Sequence, residues 1–352
     1  MNYRVIQWST GNVGKSIIRA ISERPNLELA GVLVFSDNKN GIDAGDIANI
    51  APQGVAATTS IEEILETDAD VVMHTPLPSL VYGENEDADI DNFCKLLASG
   101  KNVITTVGYM YPKIHGQKVV KRLEDACAQG NSSFHGTGVN PGWVGDILPL
   151  TMSACSKTIN QVYTREVTNF QPYASPEIMF SVMGFNKSKE DFDKDNARQA
   201  HWLNGLFQEN IQMVADALDI ELDDITDSLE ISYASTDLET AAGTVRKGTI
   251  AGQHYKWAGM HKGHEAIIHE AFWRMHESVS PEWPDGLHKV ELKGEGHMKI
   301  EFDWSFLGED ILLSTGMHGV NAIPLVCEAS PGIKTLLDLP MIMGKGAFRL
   351  PN

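Results

Sequence analysis

A chain of 352 residues, 42% hydrophobic and 21% charged, has material for two cores, and two domains are the natural expectation. Its 28 basic against 47 acidic side chains give a net charge of -19, which argues against nucleic acid and against anionic lipid surfaces as partners. No apolar run reaches the roughly 18 residues of a membrane span, and the chain starts directly on an apolar strand without the layout of a secretory signal, so a cytoplasmic protein is expected. Cys94, Cys127, Cys155 and Cys327 form no Cys-x-x-Cys pair, which points to reduced thiols and to no metal.

In chain order, "YRVIQW" is followed by the helix pattern "KSIIRAISER", and "LELAGVLVF" by the loop "SDNKNGIDAGD". "ADVVMHT" precedes a helix ending in "FCKLLASG", and "KNVITTV", the helix "QKVVKRLEDACAQG" and "SSFHGTGV" complete the series. The strands are continuous apolar runs, as in a parallel sheet covered on both faces. Residues 1–150 are therefore predicted to be a doubly wound α/β domain that binds a dinucleotide. From about residue 158 a long polar helix pattern, "SKEDFDKDNARQAHWLNGLFQENIQMVADAL", is followed by strand candidates "SLEISYA", "GTVRKGTIAGQHYKWAGM", "HEAIIHEAFWRM", "HKVELKGEG" and "HMKIEFDW". Short loops between them predict an antiparallel or mixed sheet in an α+β domain over 151–310, for substrate binding or oligomerisation. Residues 311–352 read as a helix and tail that pack back towards the first domain.

The turn "STGNVG" lies in the first βα unit, where a dinucleotide's pyrophosphate is expected. Ser9, Thr10, Gly11, Asn12, Val13 and Gly14 are its candidate ligands, with Ser9 standing where the Gly-x-Gly-x-x-Gly pattern has its first glycine. The second strand runs out at Ser36-Asp37-Asn38-Lys39. Ser36 and Lys39 suit a 2'-phosphate and favour NADP(H), whereas Asp37 suits NAD(H). At the ends of later strands His74, Thr75, Thr106 and Asn140 are candidates to edge the nicotinamide half, His74 having the alternative of a core histidine.

These residues resemble the opening of the dihydrodipicolinate-reductase-like oxidoreductases, in the branch of 2,4-diaminopentanoate dehydrogenase and the native amine dehydrogenases. "GKNVITT", "GTGVNPGWVGDILPL", "YASPEIMFSVMGF" and "VNAIPLVCEASPGIKTLLDLP" extend the resemblance over most of the chain. It implies an N-terminal Rossmann domain, a C-terminal α/β substrate domain, NAD(P)H as hydride carrier, chemistry at a C=N or C=O carbon, and a homodimer. Two departures stand out. "YTREVTNFQPYASPEIM" replaces the His- and Lys-rich segment of true dihydrodipicolinate reductases. Val107, Gly108 and Tyr109 stand where amine dehydrogenases carry the glutamate that activates ammonia.

Hydride addition to carbon needs a proton donor beside the heteroatom. Tyr109, Tyr111, Lys113 and His115 follow the strand end "ITT", with tyrosine as the donor and lysine lowering its pKa. The reading is an NAD(P)H-dependent oxidoreductase acting on a small organic molecule. Its rivals are an ammonia-dependent amine dehydrogenase whose carboxylate is Glu166 or Glu177, and a non-catalytic dinucleotide sensor. His264 is a further candidate substrate contact. His254, His261, His264 and His269 alternate along strands in a way that spreads them over two faces and opposes a metal site.

Overall fold

The computed structural model describes residues 2–303 and 313–349. The chain divides into two compact units, Met1–Gly142 with Glu309–Asn352, and Trp143–Gly308. The opening elements are β1 (Tyr3–Trp8), α1 (Asn12–Glu23), β2 (Leu27–Leu33), α2 (Ala44–Ala48), α3 (Ile61–Glu66), β3 (Val71–His74), α4 (Ser79–Tyr82), α5 (Ala88–Ala98), β4 (Asn102–Thr105), α6 (Gln117–Gly130) and β5 (Ser133–Gly136). The second unit holds α7 (Ile147–Ser153), β6 (Gln161–Asn169), α8 (Lys189–Asp195), α9 (Ala197–Ala217), β7 (Asp224–Tyr233), β8 (Leu238–Thr240), β9 (Gly243–Val245), β10 (Ile250–His261), β11 (His264–Arg274), β12 (Leu287–Lys293) and β13 (Met298–Asp303). The chain then returns to the first unit through α10 (Leu313–Glu328) and β14 (Gly332–Ile333).

The first sheet is parallel, in the order β2-β1-β3-β4-β5-β14, so the strand order reverses between β1 and β3. That reversal opens a crevice at the C-terminal strand ends, the place where doubly wound sheets bind ligands. One face is packed by Ile90, Phe93, Leu96 and Leu97 of α5 and by Leu123 and Cys127 of α6. The other is packed by Ile17 and Ile21 of α1 and by Val320, Ile323 and Val326 of α10. Gly316 and Gly319 let α10 lie close. A Cβ at Gly316 would sit 3.0 Å from the Ser16 hydroxyl, and one at Gly319 would sit 2.7 Å from the end of Met73. This is the doubly wound α/β layering that the apolar strand runs predict, with β14 as a sixth strand that its two residues were too short to announce.

The second unit has a mixed sheet, β13-β12-β6-β11-β10-β7, antiparallel except for the β6–β11 pair. α9 crosses one face, where Phe207 stacks on Trp257 at 3.9 Å and Asn204 accepts the indole N–H at 2.8 Å. Two predicted elements differ in detail. The long polar helix breaks at Asn196, whose amide donates to the Val182 carbonyl and to Gln199 and so leaves α8 separate from α9. The run "GTVRKGTIAGQHYKWAGM" holds two strands, β9 and β10, because Gly248 takes φ +83° between them. Trp304, at the end of the candidate strand "HMKIEFDW", and the expected boundary at 310/311 lie outside the described residues.

Burial also sets the charge of the core. His135 donates its Nδ1–H to the Lys334 carbonyl (2.7 Å) and His318 pairs with the Thr137 hydroxyl (2.7 Å). Desolvation pulls both imidazoles down to about 4, with mutual repulsion adding to the shift at His318. Each folded-state pKa lies below the unfolded 6.5, so below that pH the unfolded chain takes up more protons than the folded one. The stabilisation is complete above pH 6.5 and is lost as pH falls towards 4. Urea midpoints measured across this window should fall steadily, and the slope should be shallower in His318→Asn.

Candidate active site

The turn between β1 and α1 is built on a steric exclusion. Ser9 adopts φ +80°, which turns its carbonyl inward over the start of α1. A Cβ at Gly14 would lie 2.1 Å from that oxygen, so only glycine fits there. Gly11 differs. Its φ of -69° suits any residue, and a Cβ built on it meets nothing within 4 Å. The fold does not require glycine at that position, and the backbone there is open to close approach.

Gly11 is also the N-cap of α1. α2, α3 and α8 begin with Asp43, Ser60 and Ser188, whose side chains accept an N–H of the first turn, whereas α1 has no side-chain cap and no acidic residue in its first turn. Its N–H groups and its positive dipole end are thus left for an anion. Beside them Lys39 donates to the Thr10 hydroxyl at 3.1 Å, so Lys39 is fixed on the turn and is not a solvated loop charge. Burial, followed by repulsion from Lys15, holds its pKa below the ordinary lysine value. Two cations therefore converge beside the turn. Ser36 is exposed and donates to Asn38 at 2.7 Å, while Asp37 starts a short 3-10 turn.

Beneath the turn lies a residue that pattern reading missed. Gln7 is fully buried, and its amide nitrogen donates to the carbonyls of Trp8 (3.1 Å) and Ser9 (2.8 Å) and to the Thr75 hydroxyl (2.8 Å). It ties the ends of β1 and β3 together at the strand reversal. The available signal was a lone amide inside the apolar run "YRVIQW".

The later strand ends sort the other candidates. His74 is fully buried between Trp8 (5.7 Å) and Phe93 (4.7 Å), with Nδ1 at 3.2 Å from the Thr105 hydroxyl. Desolvation lowers its pKa to about 3. Its side chain belongs to the core, the alternative that the sequence left open for it. Thr75 is buried under Gln7, whereas Thr106 is half-exposed, its N–H held by the His74 carbonyl at 3.1 Å. Asn140 precedes Pro141 in a loop closed by two glycines, where a Cβ at Gly142 would lie 2.4 Å from the Gly138 carbonyl.

Ring contacts join the four candidate catalytic side chains as two pairs. Tyr109, at φ +62°, packs against the tilted His115 ring at 4.8 Å and abuts Phe93 at 5.6 Å. Lys113 sits 5.7 Å over the Tyr111 ring. The Tyr109 backbone crosses Gly136, where a Cβ would be 2.3 Å from its carbonyl oxygen, so this segment bends back over the end of β5.

In the second unit Glu166 is half-buried and accepts from the Trp273 indole (2.8 Å) and the Thr168 hydroxyl (3.1 Å), whereas Glu177 is exposed. His254 stacks on Phe272 and reaches Glu270, while His269 lies against Phe207 under α9. His261 and His264 face each other across the end of the β10–β11 hairpin. Among the described residues, no group of three or more His, Cys, Asp or Glu side chains is placed to hold a metal, and no helix is long and apolar enough to cross a membrane.

Comparison with known proteins accords with this architecture. The model of the 2,4-diaminopentanoate dehydrogenase C-terminal domain matches residues 143–347, and that of the dihydrodipicolinate reductase N-terminus matches residues 5–89. The chain is 27% identical over 354 residues to an amine dehydrogenase of Streptomyces virginiae, covering 96% of each. It is 28% identical over 249 residues to 2,4-diaminopentanoate dehydrogenase of Acetoanaerobium sticklandii, covering 69% of this chain and 68% of that one. The fold is shared with amine dehydrogenase from Mycobacterium smegmatis, with TM-score 0.79 at 18% identity and 97% of both chains covered. With one family model spanning more than half of its length and a second matching the opening strand, turn and helix, the chain belongs to the 2,4-diaminopentanoate dehydrogenase C-terminal domain family and is an NAD(P)-dependent oxidoreductase.

Proposed function

We propose that the chain moves a hydride between NADP(H) and a carbonyl or imine carbon of a small organic substrate, and that it works as a homodimer. The observation that carries the reading is Gly11: a helix start with no cap of its own and with open space where a side chain would stand. In this reading Ser9 to Gly14 hold the pyrophosphate, and Lys39 with Lys15 holds the 2'-phosphate. A bound nicotinamide supplies or accepts the hydride. Tyr111, with the Lys113 ammonium over its ring, donates the proton to the substrate heteroatom, because a neighbouring cation favours the phenolate that proton loss leaves behind. Tyr109 and His115 pack the segment in place.

A second reading is favoured by the near full-length likeness to an amine dehydrogenase: reductive amination with ammonia. The segment after Thr106 carries no glutamate, and of the two carboxylates considered for the role, Glu166 is fixed by two hydrogen bonds while Glu177 is exposed. Ketone-dependent oxidation of NADPH, run with and without ammonium, separates the two readings.

Gly11→Ala should leave the melting temperature within a degree or two but weaken NADPH binding about tenfold or more, read by nicotinamide fluorescence. Gly14→Ala should instead destabilise the fold by about 1–3 kcal/mol, because its Cβ has no room. If Gly11→Ala binds NADPH as tightly as the parent, the cradle reading is wrong. Lys39→Met should cost NADPH affinity about tenfold while leaving NADH affinity unchanged, a loss of one charge-assisted contact. Tyr111→Phe should lower kcat by about 10²-fold or more and Tyr109→Phe far less, and equal losses would take Tyr111 out of the proton-donor role. Light scattering at working concentration reads the homodimer as twice the chain mass.

A further inference from the structure

The tail that follows β14 leaves large apolar side chains in the open. Met341, Met343 and Phe348 are 62%, 63% and 83% exposed. Single apolar residues are normal on a surface, but three so close together in one segment mark a place that something covers. The tail is anchored where it begins, with Leu339 and Ile342 packed on the face of the first unit that α1 and α10 share. From Gly344 onward it is held by little. The turn at Lys345 and Gly346 closes on two backbone hydrogen bonds, and Arg349 donates to the carbonyls of Gly346, Phe348 and Glu23.

Charge narrows what this segment fits. Residues 339–352 contain Lys345 and Arg349 and no Asp or Glu, in a chain whose net charge is -19. The second unit holds the reverse. Residues 219–230 carry Asp219, Glu221, Asp223, Asp224, Asp227 and Glu230 and no Lys or Arg. They run into β7, which ends its sheet and is exposed along most of its length. Every second residue of such a strand turns its N–H and C=O away from the one neighbour it has, here β10, and among the described residues none pairs with that outer edge.

An open edge accepts another strand, and the acidic side chains decide which. Two β7 strands paired antiparallel about their midpoints would set Asp227 against Glu230 of the partner subunit, so like charges bar edge-to-edge pairing. A basic strand meets no such penalty. In an extended tail Lys345 and Arg349 share one face and Phe348 takes the other. On β7, Asp224 and Glu230 share one face, while Leu229, Ile231 and Tyr233 take the other, with Leu229 and Tyr233 exposed. One pairing therefore sets cations beside carboxylates and Phe348 beside apolar side chains at once. The lengths agree as well: Met341 to Arg349 would span about 30 Å when extended, and β7 spans about 33 Å. Gly344 and Gly346, on either side of Lys345, let the turn open at small cost.

We propose that the tail from Gly344 onward adds as a strand to the β7 edge of a second copy of this chain, so that two copies clasp each other reciprocally. The tail of one chain lies on its own first unit, and exchange in both directions gives a closed, two-fold pair. The assignment rests on the homodimer reading, for which it names the contact, and is independent of the hydride chemistry.

The test is light scattering of the full chain at one fixed concentration, with two charge-reversed proteins beside the parent. One carries Lys345→Glu with Arg349→Glu in the tail, the other Asp224→Lys with Glu230→Lys on β7. All four positions are exposed, so the far-UV circular dichroism spectrum should be unchanged. The parent should scatter as twice the chain mass. Each reversed protein alone sets like charge on like and should dimerise about 10²-fold more weakly, about tenfold for each reversed contact. Their equimolar mixture should recover the parent's dimer, because each reversed tail then meets a reversed edge and each native tail a native one. If a reversed protein does not fold, removal of residues 345–352 decides, with the same weakening expected. A reversed or shortened protein that dimerises as the parent does, or a mixture that stays monomeric, overturns the contact and leaves the homodimer reading standing. A monomeric parent overturns both.

Discussion

The Ser9 carbonyl and the Gly14 α-carbon approach each other more closely than any side chain would allow, and the first unit is arranged around that contact. The turn can close so tightly only because Ser9 accepts a left-handed backbone, and the Gln7 amide beneath it captures the inward-facing oxygen. The same amide holds the Thr75 hydroxyl, so the end of β3 is fixed to the end of β1 across the strand reversal. One buried side chain thus sets both walls of the crevice. Packing does the rest: α1 is held by Ile17, Ile18 and Ile21, which fixes where its free N–H groups point without a cap to occupy them.

How far this was legible in the sequence depends on whether a feature is local. The turn, the helix that follows it and the parallel character of the first sheet could be read, because glycine spacing and continuous apolar runs are local signals. His74 shows the limit. A histidine at a strand end faces either the ligand or the core, and the choice follows from which neighbours the sheet brings beside it, here Trp8 and Phe93. Lys39 shows the converse. Its surroundings in sequence are polar, yet the fold lays it on Thr10, a contact 29 positions away that no window of residues reveals. Glu166 could be singled out as a carboxylate, but its Trp273 partner could not be joined to it, since the pair exists only once β6 and β11 are in register.

Several glycines act by shape. Gly136, Gly138 and Gly142 each sit against a carbonyl oxygen, which lets the segments around Tyr109 and Asn140 fold tightly at one end of the sheet. Gly316 and Gly319 do the same for α10. By contrast, the exposed side chains of Met341, Met343 and Phe348 are not explained by internal fit. Steric necessity accounts for the first group, and uncovered apolar surface marks the second.

α10 and β14 close the first unit although the whole of the second is encoded before them. On the ribosome, the face of β3 and β4 that will receive Val320 and Ile323 therefore waits, uncovered, while the second unit is synthesised and emerges. The second unit is a continuous stretch of chain and is free to fold first, so the order of maturation runs opposite to the order of translation. A stop codon between the end of the second unit and α10 would yield a complete second unit attached to an unfinished nucleotide-binding one, exposing apolar surface that the quality-control machinery of a cell recognises.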